Sequence, residues 1–156
     1  KNFDRLINLQ EDLGFRMLIN ESEKVPLNGE EIELVGVENW GLPPFPQYGD
    51  LNKALSNTAA DSFKILMSHD PTHWDEEVLE KTNIDLTLSG HTHGAQFGIE
   101  IPGWRWSPVN MRYKRWGGLY NEGNQSLYVN TGIGFIGFPG RVGMPPEIAV
   151  IELKAA

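Results

Sequence analysis

The hydrophobic pattern begins with one helical stretch and continues with short strands. Apolar residues recur every three or four positions over residues 3–13, with Asp4 in the first turn and Gly14 directly after, which predicts an amphipathic helix. Its apolar positions are Phe3, Leu6, Ile7, Leu9 and Leu13. An apolar run at 15–19 predicts a strand. Residues 24–27 and 32–37 predict a hairpin, because Asn28-Gly29 suits a primed two-residue turn.

The middle of the chain predicts a β-α-β unit over residues 63–93. Residues 63–68 and 85–89 are short apolar strands, and residues 71–81 between them predict a helix with Val78 and Leu79 facing inward. A right-handed crossover brings the ends of two parallel strands to the same edge of a sheet. The residues that follow these two strands should therefore lie close together.

Four further segments complete the pattern. Asp50 is a good cap for a short helix over residues 50–56. Residues 117–120 and 126–130 predict a second hairpin, the glycines from 132 to 143 predict a loop, and residues 147–153 predict a final apolar strand.

The segment 40–46 cannot form regular structure, because it has three prolines in four positions. A rigid connector is the interpretation we favour. The alternative is a polyproline segment that binds a partner protein.

Composition narrows the class of protein. A chain of 156 residues with 40% hydrophobic and 22% charged residues fits one soluble globular domain with a substantial core. A net charge of -8 argues against general nucleic-acid binding, and the absence of cysteine excludes disulfides and thiolate ligands. We find no apolar run of membrane-spanning length and no signal peptide. Since Lys1 is not an initiator methionine, we expect the chain to be part of a longer protein.

The four histidines occur in two short stretches. His91 and His93 follow the predicted strand 85–89, and a spacing of two in extended backbone places both side chains on one side. His69 follows the neighbouring strand. Neutral imidazole is the commonest protein ligand for transition metals, so these three side chains indicate a metal half-site, although a His-x-His pair also occurs without a metal. His73 lies in the predicted helix start, and we expect it to contact neither metal nor substrate.

The residues around these histidines resemble known motifs. Ser68-His69-Asp70-Pro71 and Gly90-His91-Thr92-His93-Gly94 resemble the last two metal-binding motifs of the calcineurin-like metallophosphoesterases. The segments 128–134 and 141–148 resemble the tail of the bacterial subgroup with Gly-His-Thr-His-Gly-x-Gln. The resemblance implies an α/β (α+β) fold, the C-terminal half of a layered β-sandwich flanked by helices. Residues 1–156 would be the C-terminal part of one such domain, without its N-terminal metal-binding half.

The resemblance also implies a chemistry. Members of this family use two divalent metal ions to activate a water that attacks phosphorus. By position, His69 and His91 would bind one ion and His93 the other, with Asp70 or backbone carbonyls as outer partners. The sequence does not distinguish Mn, Fe, Zn and Ni.

The family's first three motifs are not found in this chain. The nearest match, Gly49-Asp50-Leu-Asn-Lys53, has lysine where the second aspartate belongs. The implied bridging carboxylate, Asn ligand and general acid are then outside the chain, which holds no catalytic residue of its own. We therefore expect the chain alone to have little or no phosphoesterase activity, and it need not bind metal by itself.

Residues 101–121 combine cations with aromatic side chains and contain no acid. Arg112, Lys114 and Arg115 are candidates for binding an anionic substrate. The alternative is a loop whose aromatics cover the core while its cations face solvent. A phosphodiester or pyrophosphate is the expected substrate class, and the subgroup resemblance suggests a membrane-lipid precursor such as a UDP-diacylglucosamine. The sequence leaves open whether the parent protein is membrane-associated or belongs to the cell envelope.

Two other functions stay open at this stage. One is a non-catalytic relative of the same fold that acts as a protein-interaction scaffold, or that self-associates through an exposed strand edge. The other is a protein that binds a single metal ion through histidines alone.

Overall fold

The chain forms a mixed sheet with helices against it, as described by a computed structural model for residues 2–27 and 29–154. The helices are α1 (Asn2–Asp12) and α2 (Leu51–Leu55), with short helical turns at Trp74–Val78, His93–Gln96 and Pro108–Met111. The strands are β1 (Glu21–Leu27), β2 (Glu30–Gly36), β3 (Phe63–Met67), β4 (Leu86–Ser89), β5 (Ile99–Ile101), β6 (Trp104–Trp106), β7 (Gly118–Glu122) and β8 (Gln125–Val129). The predicted α/β class is confirmed.

Six strands make the main sheet in the order β1-β2-β3-β4-β8-β7, and β5 pairs with β6 in a separate hairpin. The central pairs β2-β3, β3-β4 and β4-β8 are parallel, while β1-β2 and β7-β8 are antiparallel hairpins. The C-terminal ends of the parallel strands therefore share one edge of the sheet. This edge carries the histidines, as the β-α-β prediction required.

The helical connection between β3 and β4 is shorter than the predicted helix over residues 71–81. The π-helical turn Trp74–Val78 ends at Leu79, whose backbone is extended. The Gln125 side chain accepts a hydrogen bond from the Glu80 backbone N–H at 2.7 Å and donates to the Ile84 carbonyl at 2.8 Å. These bonds turn the chain toward β4 before a longer helix can form. Val78 is fully buried and Leu79 partly buried, as predicted.

The main core lies between the sheet and these short helices. Its fully buried members include Val35, Leu66, Trp74, Val78 and Leu127. Both hairpin predictions are confirmed, with the β1-β2 register closing at Leu27 and Glu30; Asn28 lies outside the described residues. The α2 prediction is also confirmed, since the Asp50 carboxylate accepts a hydrogen bond from the Lys53 N–H at 2.9 Å.

Two strand predictions are wrong. Residues 15–19 and 147–153 are irregular, because an isolated apolar segment gains no ladder hydrogen bonds and nothing in the described part of the chain pairs with either one. The predicted helix over 3–13 is confirmed as α1, although none of its residues is buried. The β5-β6 hairpin was not predicted, because its three-residue strands are too short to show a period.

Glu147 fastens the irregular C-terminal segment to the end of β8. Its carboxylate accepts hydrogen bonds from the Tyr128 hydroxyl and from both the backbone N–H and the hydroxyl of Thr131, the last two at 2.9 Å. Burial favours the protonated acid, but the hydrogen bonds outweigh it and leave the pKa of Glu147 below its usual value. The same contact raises the pKa of Tyr128 to about 12. The ionised form of Glu147 is therefore the stabilising one.

Replacing Glu147 with glutamine should lower the free energy of unfolding by about 1 kcal/mol at pH 7, because the hydrogen bonds to its carboxylate lose their charge assistance. The loss is modest because solvent screens the charge at this partly exposed site. A carboxyl with a depressed folded pKa stabilises the fold above its unfolded pKa, and this contribution disappears as the pH falls through the folded pKa. Urea unfolding should thus show a difference between the two proteins at pH 7 that shrinks toward pH 3.

The matched control is Glu152→Gln, because Glu152 is an exposed residue of the same segment, and its ion pair with Lys154 is on the surface. This variant should unfold like the unsubstituted protein at both pH values. A Glu147→Gln effect that is equal at pH 7 and pH 3, or larger at pH 3, would show that the carboxylate charge is not what stabilises the segment.

Candidate functional site

The turns after β3 and β4 lie side by side at the shared edge of the sheet. The Ser68 N–H donates to the Leu88 carbonyl at 3.0 Å, and the Gly90 N–H donates to the His69 carbonyl at 3.1 Å. The Nδ1 atom of His91 then lies 3.1 Å from Nε2 of His69, with the two rings edge to face. The structure thus brings together two of the three histidines singled out from the sequence.

The second ring nitrogen of His91 is held by a residue that sequence reasoning did not single out. Its Nε2 lies 2.8 Å from the Tyr113 hydroxyl and 3.9 Å from Oδ2 of Asp70. Asp70 is almost fully buried, and its other oxygen accepts hydrogen bonds from the Thr72 N–H and hydroxyl. The orientation of the His91 ring is therefore fixed from both sides. Only the aromatic character of residues 101–121 pointed toward Tyr113.

Backbone strain is concentrated around the same residues. In the described part of the chain, six non-glycine residues have positive φ, and four of them, His91, His93, Ala95 and Gln96, lie within residues 91–96. Such backbone costs about 1 kcal/mol or more per residue and persists where the surrounding structure enforces it. This concentration of strain supports a functional role for the turn after β4.

His93 does not join the other two histidines in one group. Its Nδ1 atom is buried without a hydrogen-bond partner, and its carbonyl accepts a bond from Arg141 at 3.4 Å. Within residues 2–27 and 29–154, no three histidine, aspartate or glutamate side chains are arranged to hold one metal ion. A buried, unpaired imidazole nitrogen is unusual. That His93 binds a different ion from His69 and His91 stays a prediction.

The facing nitrogens of His69 and His91 fit a shared metal ion. Two imidazole ligands about 2.0–2.1 Å from one ion, at tetrahedral or octahedral angles, lie about 3 Å apart. Burial first, and then the neighbouring His91, lower the pKa of His69, with Asp70 acting in the opposite direction. The neutral ring, which is the form that binds metals, is thereby favoured. Two imidazoles are nevertheless an incomplete ligand set for a tightly bound ion.

A cavity of about 300 Å³ opens over this pair. His69, Asp70 and His91 form its polar part, and Arg112 and Tyr113 line it from the segment after β6. The remaining lining residues are Asn39, Gly41, Leu42 and Phe45. A larger groove of about 630 Å³ is lined only by residues 100–105 and contains no histidine. The smaller cavity is therefore the candidate site.

The three predicted substrate-binding cations occupy different surroundings. Arg112 is exposed and lines the cavity. Lys114 pairs with Asp75 at 3.3 Å. Arg115 is buried between Asp75 and Glu122, with its guanidinium 4.4 Å from the centre of the Trp74 ring. Of the three, Arg112 lines the candidate cavity, whereas Lys114 and Arg115 pair with carboxylates elsewhere, and a substrate-binding role for any of them stays a prediction.

His73 forms a separate, buried cluster beneath the site. Its Nδ1 lies 2.8 Å from the Ser68 hydroxyl, its Nε2 lies 3.3 Å from the Glu77 carboxylate, and its ring stacks on Trp40 at 4.8 Å. Burial lowers the pKa of His73, although Glu77 opposes this effect. A neutral ring that accepts from Ser68 and donates to Glu77 satisfies both nitrogens. His73 therefore supports the turn that carries His69.

Curated relatives match most of the chain. It is 31% identical over 156 residues to the Danio rerio transmembrane protein with metallophosphoesterase domain, covering 95% of this chain and 34% of that protein. It is 32% identical over 148 residues to the Bacillus subtilis metallophosphoesterase YkuE, covering 91% of this chain and 48% of that protein. It is 28% identical over 145 residues to the Escherichia coli phosphodiesterase YaeI, covering 90% of this chain and 48% of that protein. The relatives thus include animal as well as bacterial proteins.

The chain spans about a third to a half of the length of these relatives. No protein-family model and no solved structure matches it. Among the described residues, no helix has the length and apolar character needed to cross a membrane, although two of the matched relatives are named as transmembrane proteins.

Proposed function

We propose that the intact protein is a metal-dependent phosphohydrolase acting on phosphodiesters or pyrophosphates, since the chain belongs to the calcineurin-like metallophosphoesterase family. The observation that carries the proposal is the His69–His91 pair, which faces a cavity lined by Arg112. When bound, divalent metal ions supply a water of lowered pKa and neutralise charge on the phosphoryl group.

Each residue of the site has a role that follows from its contacts. His69 would bind one ion through Nε2 and His91 the same ion through Nδ1. For His91 to do so, its Nε2 must carry the proton, which the Tyr113 hydroxyl oxygen then accepts. His93 would bind a second ion through its unpaired Nδ1. Arg112 would bind a phosphoryl oxygen through its planar guanidinium.

We propose further that residues 1–156 are the C-terminal part of one metallophosphoesterase domain and are inactive alone. Three imidazoles without a bridging carboxylate cannot hold two ions. The apolar face of α1 is exposed at Phe3, Leu6 and Leu9, and the apolar segment 147–153 has no strand partner in the described part of the chain. Both features are expected where the other half of a domain would pack. Imidazole ligands leave Mn, Fe, Zn and Ni as candidates.

A membrane-lipid precursor is the substrate that we propose within this class. The loop 133–138 exposes Ile133, Phe135 and Ile136, each by more than 60%, beside the His93 ring. Buried Gln96 holds the loop through hydrogen bonds to its backbone, and Arg141 binds the Gly134 carbonyl. An apolar surface next to a phosphoester site suits an amphipathic substrate.

A protein-interaction scaffold is the competing candidate. The exposed apolar face of α1 and the edge strand β7, where Leu119 is 59% exposed, favour it, since such surfaces associate with another chain or a second copy. A scaffold has no need of a metal, so metal dependence separates the two functions.

Metal removal tests the proposal. The intact protein, expressed from its full coding sequence, should hydrolyse bis(4-nitrophenyl) phosphate, and dialysis against EDTA should lower kcat at least about 100-fold, because metal ions supply several kcal/mol of transition-state stabilisation. Added Mn²⁺ should restore the rate. Absence of turnover before and after Mn²⁺ addition would favour the scaffold, and a rate unchanged by EDTA would rule out metal catalysis.

A further inference from the structure

The proline-rich segment is a closed loop with a fixed neck. The Asn39 carbonyl accepts hydrogen bonds from the Tyr48 N–H at 2.8 Å and the Gly49 N–H at 3.0 Å. The Asn39 side chain donates to the Pro46 carbonyl at 3.0 Å, inside the loop. These bonds join the two ends of the segment, so residues 40–47 project from one point on the fold.

Two buried side chains attach this loop to the rest of the molecule. The side-chain oxygen Oδ1 of Asn20 accepts hydrogen bonds from the Glu38 N–H at 3.1 Å and the Asp50 N–H at 2.9 Å, and its Nδ2 donates to the Tyr48 backbone carbonyl. Trp40, only 7% exposed, stacks on His73 under the turn that carries His69. The position of the loop is therefore coupled to the candidate site.

The loop places two apolar side chains at the cavity. Leu42 and Phe45 line it together with His69, His91 and Arg112. Phe45 is 66% exposed, so core packing does not explain why a firmly held loop presents a phenyl ring there. Ligand pockets commonly combine an apolar wall with a few placed polar groups. A rigid connector, as interpreted from the sequence, would hold these apolar side chains at the cavity.

We propose that Arg112 and the loop form a two-part binding site for a phosphoester that carries an aryl or alkyl group next to phosphorus. Arg112 binds a phosphoryl oxygen, and Leu42 and Phe45 pack against the apolar substituent. The assignment deepens the proposed phosphohydrolase function and rests on it. It makes the loop the element that selects among phosphoesters.

Binding of two phosphonates to the intact protein tests this assignment. Phenylphosphonate and methylphosphonate share the anionic group and differ in the apolar substituent. Ligand-observed NMR titration should show phenylphosphonate binding about tenfold more tightly, as expected for one partly buried apolar group. Phe45→Ala should remove this preference, whereas Arg112→Ala should weaken both ligands by similar factors.

Tyr48→Ala is the matched control, because Tyr48 lies at the neck of the loop, which only its backbone helps to close, and its exposed aromatic side chain does not line the cavity. It should leave both dissociation constants within twofold. Equal affinity for the two phosphonates, or the same effect from Phe45→Ala and Tyr48→Ala, would overturn the assignment. If the protein prefers phenylphosphonate but shows no metal-dependent turnover, the proposed hydrolysis is refuted and the binding site is supported. If it shows metal-dependent turnover but no such preference, only the role of the loop is refuted.

Discussion

Replacing His91 with alanine in the intact protein should lower kcat/KM for bis(4-nitrophenyl) phosphate by about 1,000-fold. His91 contacts both His69 and Tyr113. The substitution removes one proposed metal ligand and leaves the other, His69, without its neighbouring ring. Metal ions contribute several kcal/mol to such reactions, and about 4 kcal/mol corresponds to this factor. Steady-state kinetics at saturating Mn²⁺ would measure the effect.

Two further variants serve as comparisons for the His91→Ala result. Tyr113→Phe keeps the ring but removes the hydroxyl that fixes His91, and a reduction of about 10- to 100-fold is expected for losing such an outer partner. Met111→Ala alters a side chain that is 85% exposed and does not line the cavity, so its kinetics should be unchanged. Normal turnover by a folded His91→Ala protein would remove His91 from the chemistry.

The second large effect concerns the chain by itself. Residues 1–156 alone should hydrolyse the same diester at less than about one thousandth of the rate of the intact protein, even with added Mn²⁺. The reason is that facing imidazoles without a bridging carboxylate cannot place two ions on one phosphoryl group. A chromogenic assay on both proteins at equal concentration would measure the ratio.

The informative control supplies the N-terminal half that we propose for the domain as a separate polypeptide. If exposed α1 and the segment 147–153 are surfaces for that part, mixing the two pieces should restore a measurable fraction of the activity. The same mixture made with His91→Ala should stay inactive. A rate for the chain alone that matches the intact protein would show that the proposed missing motifs are not required.

Sequence reasoning located the shared edge of the sheet but not every contact at the site. Strands β3 and β4 follow from short, mainly apolar runs, and their parallel pairing places His69 against His91. Tyr113 was missed because it reaches His91 from 22 positions along the chain, through a segment without periodicity. Contacts of this kind depend on tertiary packing, which no local pattern records.

The strand predictions at 15–19 and 147–153 failed for a related reason. An apolar run reports that a segment can be buried, whereas a strand also needs a neighbour to receive its hydrogen bonds. The cations of residues 101–121 show the same limit. Composition alone gave Arg112 and Arg115 equal weight, yet one lines the cavity and the other is buried against Trp74.

Anomalous diffraction from crystals of the intact protein, collected at the absorption edge of its bound metal, gives the most direct test. The proposed function predicts a peak that contacts Nε2 of His69 and Nδ1 of His91, with a second peak beside His93. The contradicting result is a structure of protein purified with Mn²⁺ that contains no metal. In it, Nε2 of His69 and Nδ1 of His91 would remain hydrogen-bonded to each other.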